Sequence, residues 1–425
     1  MSFLDKEGNN MLFFKKLASV LVSMILILVS GGIKPPEIKE PVLYPFVMVH
    51  GMGGWGTTSS INSVAPYWGA TTGNLIEYLN EKGYDCHAAS VGPFSSAWDR
   101  ACELYAQLTG TTVDYGAAHS AEYGHARFGR TYEKPLFEGW GEPDANGDLK
   151  KVNLYGHSFG GATVRILAHL LAYGNREEIA ATASDEISPL FTGNKADWIF
   201  SVTTLAAPHN GTTLLYTLNE DMINTIIDLF YAGVSLIGST DLNDIIDMQL
   251  LQFGFSRDNG RFDLAYDRIM ELAQTQDNVF HDLTLDGAKQ LNSTITTVPG
   301  VYYFSFAVQG TIKNESTGFH EPTADMLNVL MPPATLMGKY SANDKTDYPI
   351  NEDWLPNDGL VNTISSYAPF IDASTDYIEG AHIKGVWQKM PLTYGDHGSV
   401  IGLMAETEKT RTFYMNHMDM INSLT

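Results

Sequence analysis

The 425-residue chain carries 49 acidic against 26 basic residues, and its formal net charge of −23 would repel a phosphate backbone, which argues against nucleic acid as a partner. With 44% hydrophobic, 11% aromatic and only 18% charged residues, the composition is that of a folded globular protein, and disorder is not the default reading. Two cysteines, Cys86 and Cys102, are too few for a disulfide scaffold or a cysteine-based metal cluster, and buried free thiols are expected ahead of a single bridge.

At the N-terminus Lys15 and Lys16 precede the apolar run Leu17 to Val29, which leads into Ser30-Gly31-Gly32 and then Pro35-Pro36. Charge, apolar stretch and small residues in that order describe an export signal. The run falls short of the roughly 20 apolar residues that cross a bilayer. Residues 1–33 therefore read as a signal peptide of a secreted protein, with a retained anchor or a core helix as alternatives. Residues 34–43 read as a linker and 44–425 as one domain.

Beyond the linker, Leu43 to Val49 is a continuous apolar run stopped by His50-Gly51-Met52-Gly53-Gly54, the pattern of a strand buried on both faces. Thr72 to Lys82 has helical spacing and ends at Gly83; a strand follows at Tyr84 to Val91, and Ala97 to Leu108 is again helical. The segment from Thr111 to Tyr132 has a weaker pattern. Lys151 to Tyr155 reads as a strand running into a helix from Gly161 to Tyr173, and Trp198 to Ala206 as another strand. This alternation predicts an α/β protein with a doubly wound, mostly parallel sheet. Residues 213–275 differ, with long amphipathic stretches and no strand between them; they read either as additional core or as a helical cap over a pocket.

Gly156-His157-Ser158-Phe159-Gly160 falls where the predicted strand meets the predicted helix. A nucleophile at such a junction sits in a turn so tight that only glycine fits two positions away on each side. The bare five-residue string is weak evidence; its placement gives it meaning. The amide of Phe159, at the start of the helix, is positioned to stabilise an oxyanion. A second donor is expected from the glycine-rich loop at His50 to Gly53, at the Met52 amide, unless that loop is only a structural turn. Among the histidines after Ser158, His397 in Tyr394-Gly395-Asp396-His397-Gly398-Ser399 is the best base and His382 the second. Asp358, in Asn357-Asp358-Gly359, is the candidate acid, because Asp396 is adjacent to His397 and adjacent side chains on an extended loop diverge. Ser158, Asp358 and His397 then follow the order of a hydrolase triad.

Asp99, His119 and His125 have side chains suited to zinc, although their spacing leaves ordinary core or surface histidines open. The stretches Ser95 to Glu103, Val113 to His119 and Gly124 to Tyr132, together with Val49-His50-Gly51, Pro208-His209-Asn210-Gly211-Thr212-Thr213 and Asn357-Asp358-Gly359, closely resemble the zinc-containing bacterial lipases of the Geobacillus and Staphylococcus type. The resemblance covers most of the chain from about Tyr44 onward. It implies the α/β-hydrolase fold, hydrolysis of triacylglycerols or other carboxylic esters at a lipid–water interface, the triad named above, and Met52 and Phe159 as oxyanion donors. It further implies structural zinc held by Asp99, His119, His125 and, in fourth place, Asp277, within a zinc-binding insertion at 97–132, and a helical lid at 213–275. Two departures stand out. The residues after His397 lack the Glu and Asp that hold calcium in such lipases, so no calcium site of that kind is expected, and Phe159 stands where the family usually has Gln. No stable protein partner is expected. The competing functions are an acyltransferase or another serine hydrolase on the same fold, and a zinc-stapled binding protein with an idle site.

Overall fold

In the computed structural model seven strands pair into one sheet: β1 (Phe46–Val49), β2 (Cys86–Ala89), β3 (Val152–His157), β4 (Ile199–Leu205), β5 (Tyr302–Phe306), β6 (Ser374–Asp376) and β7 (Trp387–Lys389). Their order is β6-β7-β5-β4-β3-β1-β2, and every neighbouring pair is parallel. β1, β3 and β4 are buried along their whole length; β1 is accordingly an unbroken apolar run, while β3 and β4 also bury Asn153, His157, Ser201, Thr203 and Thr204. The strand order reverses between β1 and β3, and in open α/β sheets such a switch point is where ligands bind, at the carboxyl ends of the strands. His50-Gly51-Met52 follows β1 there, and Ser158 follows β3.

The structure describes residues 43–217, 275–341 and 348–424, with residues 249, 257–258, 261–262 and 346 between them. The described residues belong to one unit, Leu43–Leu424. The expected signal peptide and nearly all of the linker lie outside the described residues, as does most of the expected lid at 213–275. No helix among the described residues is long and apolar enough to cross a membrane.

Four helices contribute to the cores on the two faces of the sheet: α1 (Leu75–Glu81), α2 (Ala97–Thr109), α3 (Gly160–Tyr173) and α4 (Thr407–Asn422). The Asn74 side chain accepts from Glu77 N–H at the start of α1, and Ser96 accepts from Asp99 N–H at the start of α2. Gly110, left-handed at φ 67°, ends α2. Alternate residues of β1 serve opposite faces of the sheet. Val47 and Val49 join a core with Leu154, Val202 and residues of α2 and α3, while Phe46 and Met48 join one with Tyr155, Phe304 and Tyr414, Met418 and Ile421 of α4. Cys86 and Cys102 are both buried and free.

Within 97–132, α2 is part of the first core. The weak pattern after it resolves into an antiparallel strand pair, Thr112–Asp114 with Phe128–Thr131, on either side of the helix Ala117–Tyr123.

Candidate active site and metal-ligand cluster

Ser158 stands between the last residue of β3 and the first turn of α3 with φ 54°, a left-handed backbone that non-glycine residues seldom adopt. Its amide donates to Leu205 O at 2.8 Å, and its carbonyl accepts from Gly161 N–H at 2.9 Å. The flanking glycines have a steric reason. A Cβ on Gly156 would lie 2.4 Å from the Gly160 carbonyl oxygen, and one on Gly160 would lie 2.3 Å from that of Val49.

His397 and Asp358 meet from separate loops. His397 Nδ1 is 2.7 Å from Asp358 Oδ2, and His397 N–H donates to the Asp358 carbonyl at 2.9 Å. Asp358 is fully buried, and its Oδ1 accepts from Leu360 N–H at 3.0 Å and Val361 N–H at 2.8 Å. Because the carboxylate can only accept, the neutral imidazole carries its proton on Nδ1 and presents an Nε2 lone pair. The His397 loop reaches the nucleophile's neighbour: His157 Nε2 is 3.0 Å from His397 O, with ring centroids 4.8 Å apart. Asp396 is occupied elsewhere, accepting from the Leu327, Gly398 and Ser399 amides. The ring of His382 lies against Tyr377 and Phe304.

The loop after β1 sits directly over the serine. A Cβ placed on Gly51 would be 2.7 Å from Ser158 Cβ and 3.1 Å from its Oγ. The loop is held by two buried groups that sequence reasoning did not single out. His50 Nε2 accepts from Val91 N–H at 3.2 Å, so its proton is on Nδ1, 2.8 Å from Gly51 O. Burial, reinforced by the Arg100 charge, holds His50 down at about 3 and therefore neutral. The Arg100 guanidinium donates to His50 O and, at 3.4 Å, to Gly51 O; its Nε reaches Thr163 Oγ1 at 3.0 Å, and the Phe159 ring lies 5.1 Å from its centre. With the Gly51 carbonyl drawn toward Arg100, the Met52 N–H across the same planar peptide points the opposite way. Among the described residues neither the Met52 nor the Phe159 amide has a protein acceptor. Met52 is 40% exposed, whereas Phe159 is buried with its ring against the Arg100 guanidinium. Only a buried arginine on a largely apolar helix could have pointed to Arg100 from the sequence.

A second constellation gathers Asp99, His119, His125 and Asp277, whose ligand atoms lie within 4.8 Å of one another. His119 Nε2 is 3.2 Å from Asp99 Oδ1 and 3.3 Å from Asp277 Oδ1, and His125 Nε2 is 3.2 Å from Asp277 Oδ2. A tetrahedron of bonds about 2.0 Å long has edges of about 3.3 Å, so these separations fit a four-coordinate ion with nitrogen and carboxylate ligands. Both Asp99 oxygens and His119 Nε2 are buried without a hydrogen bond of acceptable geometry, as atoms waiting for a cation would be. Burial pushes the Asp99 carboxyl up, and the Asp277 charge pushes it further, so the pair calls for positive charge between them.

Three segments meet at this cluster. Asp99 is in the first turn of α2, His119 is on the helix Ala117–Tyr123, and Asp277 precedes the helix Val279–Leu283. Glu178 accepts from Ala118 N–H at 3.0 Å and His119 N–H at 2.7 Å, and the Trp98 ring stacks on His119 at 5.0 Å. His125 Nδ1 lies 2.9 Å from Ala126 O, which leaves Nε2 for a metal.

The family model described as "Lipase-like, C-terminal domain" matches residues 42–424. Lipase 1 of Staphylococcus aureus is 37% identical over 375 residues, which are 86% of this chain and 52% of that protein. The chain spans about half the length of the curated relatives it matches. Among solved structures, EstA from Clostridium botulinum superposes with a TM-score of 0.77 at 35% identity, covering 91% of this chain and 88% of that one. Lipase 1 from Pelosinus fermentans gives 0.73 at 35% identity, with 90% and 99% covered, and Staphylococcus hyicus lipase 0.75 at 32% identity, with 92% and 98% covered. The sheet described above is therefore an α/β-hydrolase fold.

Proposed function

Because the chain belongs to the family of lipase-like C-terminal domains, we propose that it is a carboxylic ester hydrolase of the lipase and carboxylesterase class, acting through Ser158, His397 and Asp358. The observations that support this reading are the left-handed serine at the β3–α3 turn and an imidazole whose Nδ1 is held 2.7 Å from a buried carboxylate, on a loop whose His397 carbonyl lies 3.0 Å from Nε2 of His157, the residue before the serine. His397 Nε2 takes the Ser158 proton as Oγ attacks the ester carbonyl, and the Met52 and Phe159 amides hold the oxyanion. His397⁺ returns the proton to the departing alcohol, leaving an acyl-enzyme. Water, deprotonated by the same imidazole, then releases the acid and restores Ser158. Asp358 keeps the imidazole in the working tautomer and stabilises its charged form.

Zinc is the ion that best suits two imidazoles and two carboxylates at these separations, with Asp99, His119, His125 and Asp277 as ligands. Four protein ligands leave no open position, so its role is structural. Glycerides or other esters at a lipid–water interface are the substrates, no calcium is required after His397, and residues 1–33 direct export. Hydrolysis of a p-nitrophenyl ester by the parent and by Ser158→Ala tests the central claim: equal rates would end it. Elemental analysis of the purified protein should return one zinc per chain, and a metal-free protein of the same stability would remove the zinc from this account.

A further inference from the structure

Tyr67 lies between the oxyanion loop and the loop that carries the base. Its hydroxyl is 2.9 Å from Gly51 N and 2.6 Å from His157 Nδ1, and His157 Nε2 is 3.0 Å from His397 O. The proton positions along this path follow from the end groups. Gly51 N–H can only donate, so the Tyr67 oxygen accepts. The His397 carbonyl can only accept, so the proton of the neutral imidazole is on Nε2, since a lone pair facing that oxygen at 3.0 Å would be repelled. His157 Nδ1 is then the acceptor for the Tyr67 hydroxyl. One arrangement satisfies every group: Gly51 N–H to Tyr67 O–H to His157 Nδ1, and His157 Nε2–H to His397 O.

The chain of bonds is well shielded. His157 is buried, and burial, with the nearby His397 charge adding to it, holds its pKa well below the ordinary value, so the imidazole stays neutral. The Tyr67 ring is packed edge-on against His50, Trp55 and Trp68 at centroid distances of 5.7, 5.8 and 5.5 Å, which fixes where its hydroxyl can point. Gly51 is gripped at both ends, by Tyr67 at its N–H and by Arg100 and His50 at its carbonyl.

We propose that Tyr67 and His157 are positioning residues for ester hydrolysis, a hydrogen-bonded strut that sets the oxyanion loop and the loop of the catalytic base in register across the residue preceding the nucleophile. The proposal rests on the triad reading above. Its work is to hold Met52 N–H and the His397 ring where the transition state needs them, so it acts on kcat.

Tyr67→Phe keeps the ring packing and removes only the hydroxyl. For a soluble p-nitrophenyl ester, kcat should fall 10- to 100-fold with KM within twofold, while Ser158 is still labelled stoichiometrically by a fluorophosphonate. His157→Gln can place its amide nitrogen where Nε2 donates to His397 O, but its acceptor Oε1 then lies away from the Nδ1 position that the Tyr67 hydroxyl reaches, so it should show the same loss in kcat. The double variant should be no slower than the slower single one, because the two residues act as one unit. A merely structural role would instead give additive losses that track falling melting temperatures. Either single variant with kcat within twofold of the parent, or with a raised KM at unchanged kcat, overturns the strut. Full activity in Ser158→Ala, with no fluorophosphonate label on the parent, overturns the triad and the strut together.

Discussion

Replacing Asp358 by asparagine exchanges one atom and tests how the base is oriented. Oδ1 accepts from the Leu360 and Val361 amides at 3.0 and 2.8 Å, and Oδ2 faces His397 Nδ1 at 2.7 Å. An asparagine must keep its oxygen where the two backbone donors converge, so its NH2 group takes the Oδ2 position. Two donors cannot face each other at that distance. The imidazole therefore shifts its proton to Nε2, the nitrogen that has to accept from Ser158, and the base is lost while the fold persists. A wrong tautomer of this kind costs about 10⁴ in kcat, equivalent to about 5.5 kcal/mol. Asp396 cannot stand in, because three backbone amides already occupy its carboxylate. Steady-state kinetics on a p-nitrophenyl ester, with a melting curve alongside, should show the full loss in kcat, KM within a few-fold and a nearly unchanged melting temperature. A variant within tenfold of the parent in kcat would refute the assignment of Asp358.

Gly51→Ala should lower kcat about 100-fold with little change in melting temperature, since the added methyl would stand 2.7 Å from Ser158 Cβ; parental turnover would show that the loop does not lie over the serine. His119→Ala, or exhaustive chelation, leaves two buried carboxylates uncompensated, at a cost of about 3–5 kcal/mol and a melting point about 4–6 °C lower for a domain of this size. An unshifted calorimetric transition would contradict that. Acid should destabilise the fold through His50 and His417, both held down at about 3 by burial in the folded state. The unfolded chain takes up protons below about pH 6.5 that the folded one refuses, so stability present at pH 7 declines as pH falls from 6.5 toward 3, by about 2 kcal/mol per histidine at pH 5. Urea titrations at pH 7 and pH 5 measure this loss, and His417→Gln should reduce it; an identical pH dependence in that variant would exclude His417 as a contributor.

The sheet's centre was legible because β1 is an apolar run stopped by glycine and β3 and β4 carry apolar residues for both faces of the sheet, and the Ser158 turn was legible because Gly156 must clear Gly160 within the same turn, although Gly160 itself answers to the distant Val49 carbonyl. The edge was not. β6 and β7 are three residues each, and Ser374-Thr375-Asp376 and Trp387-Gln388-Lys389 show neither an apolar run nor alternation. Asp358 and His397 could be named from their turn and loop, but their meeting depends on tertiary structure. The roles of Arg100, Tyr67 and His157 were hidden for the same reason: each is defined by carbonyl or amide partners far away in sequence, such as Gly51 for Arg100 and Tyr67 and His397 for His157, and backbone groups leave no residue-type signal. Asp277 came from resemblance alone, since more than 150 residues separate it from the other three ligands.

Asp99 and Arg100 are consecutive on α2, their side chains turned about 100° apart around the helix axis. One belongs to the metal-ligand cluster, and the other grasps the carbonyls that aim the oxyanion loop. Anything that loosens the first therefore reaches the second through a single peptide bond. On the proposed zinc reading, a chelator should lower ester hydrolysis before the sheet unfolds, and hydrolysis that persists up to the calorimetric transition would show the two neighbours on that helix to be uncoupled.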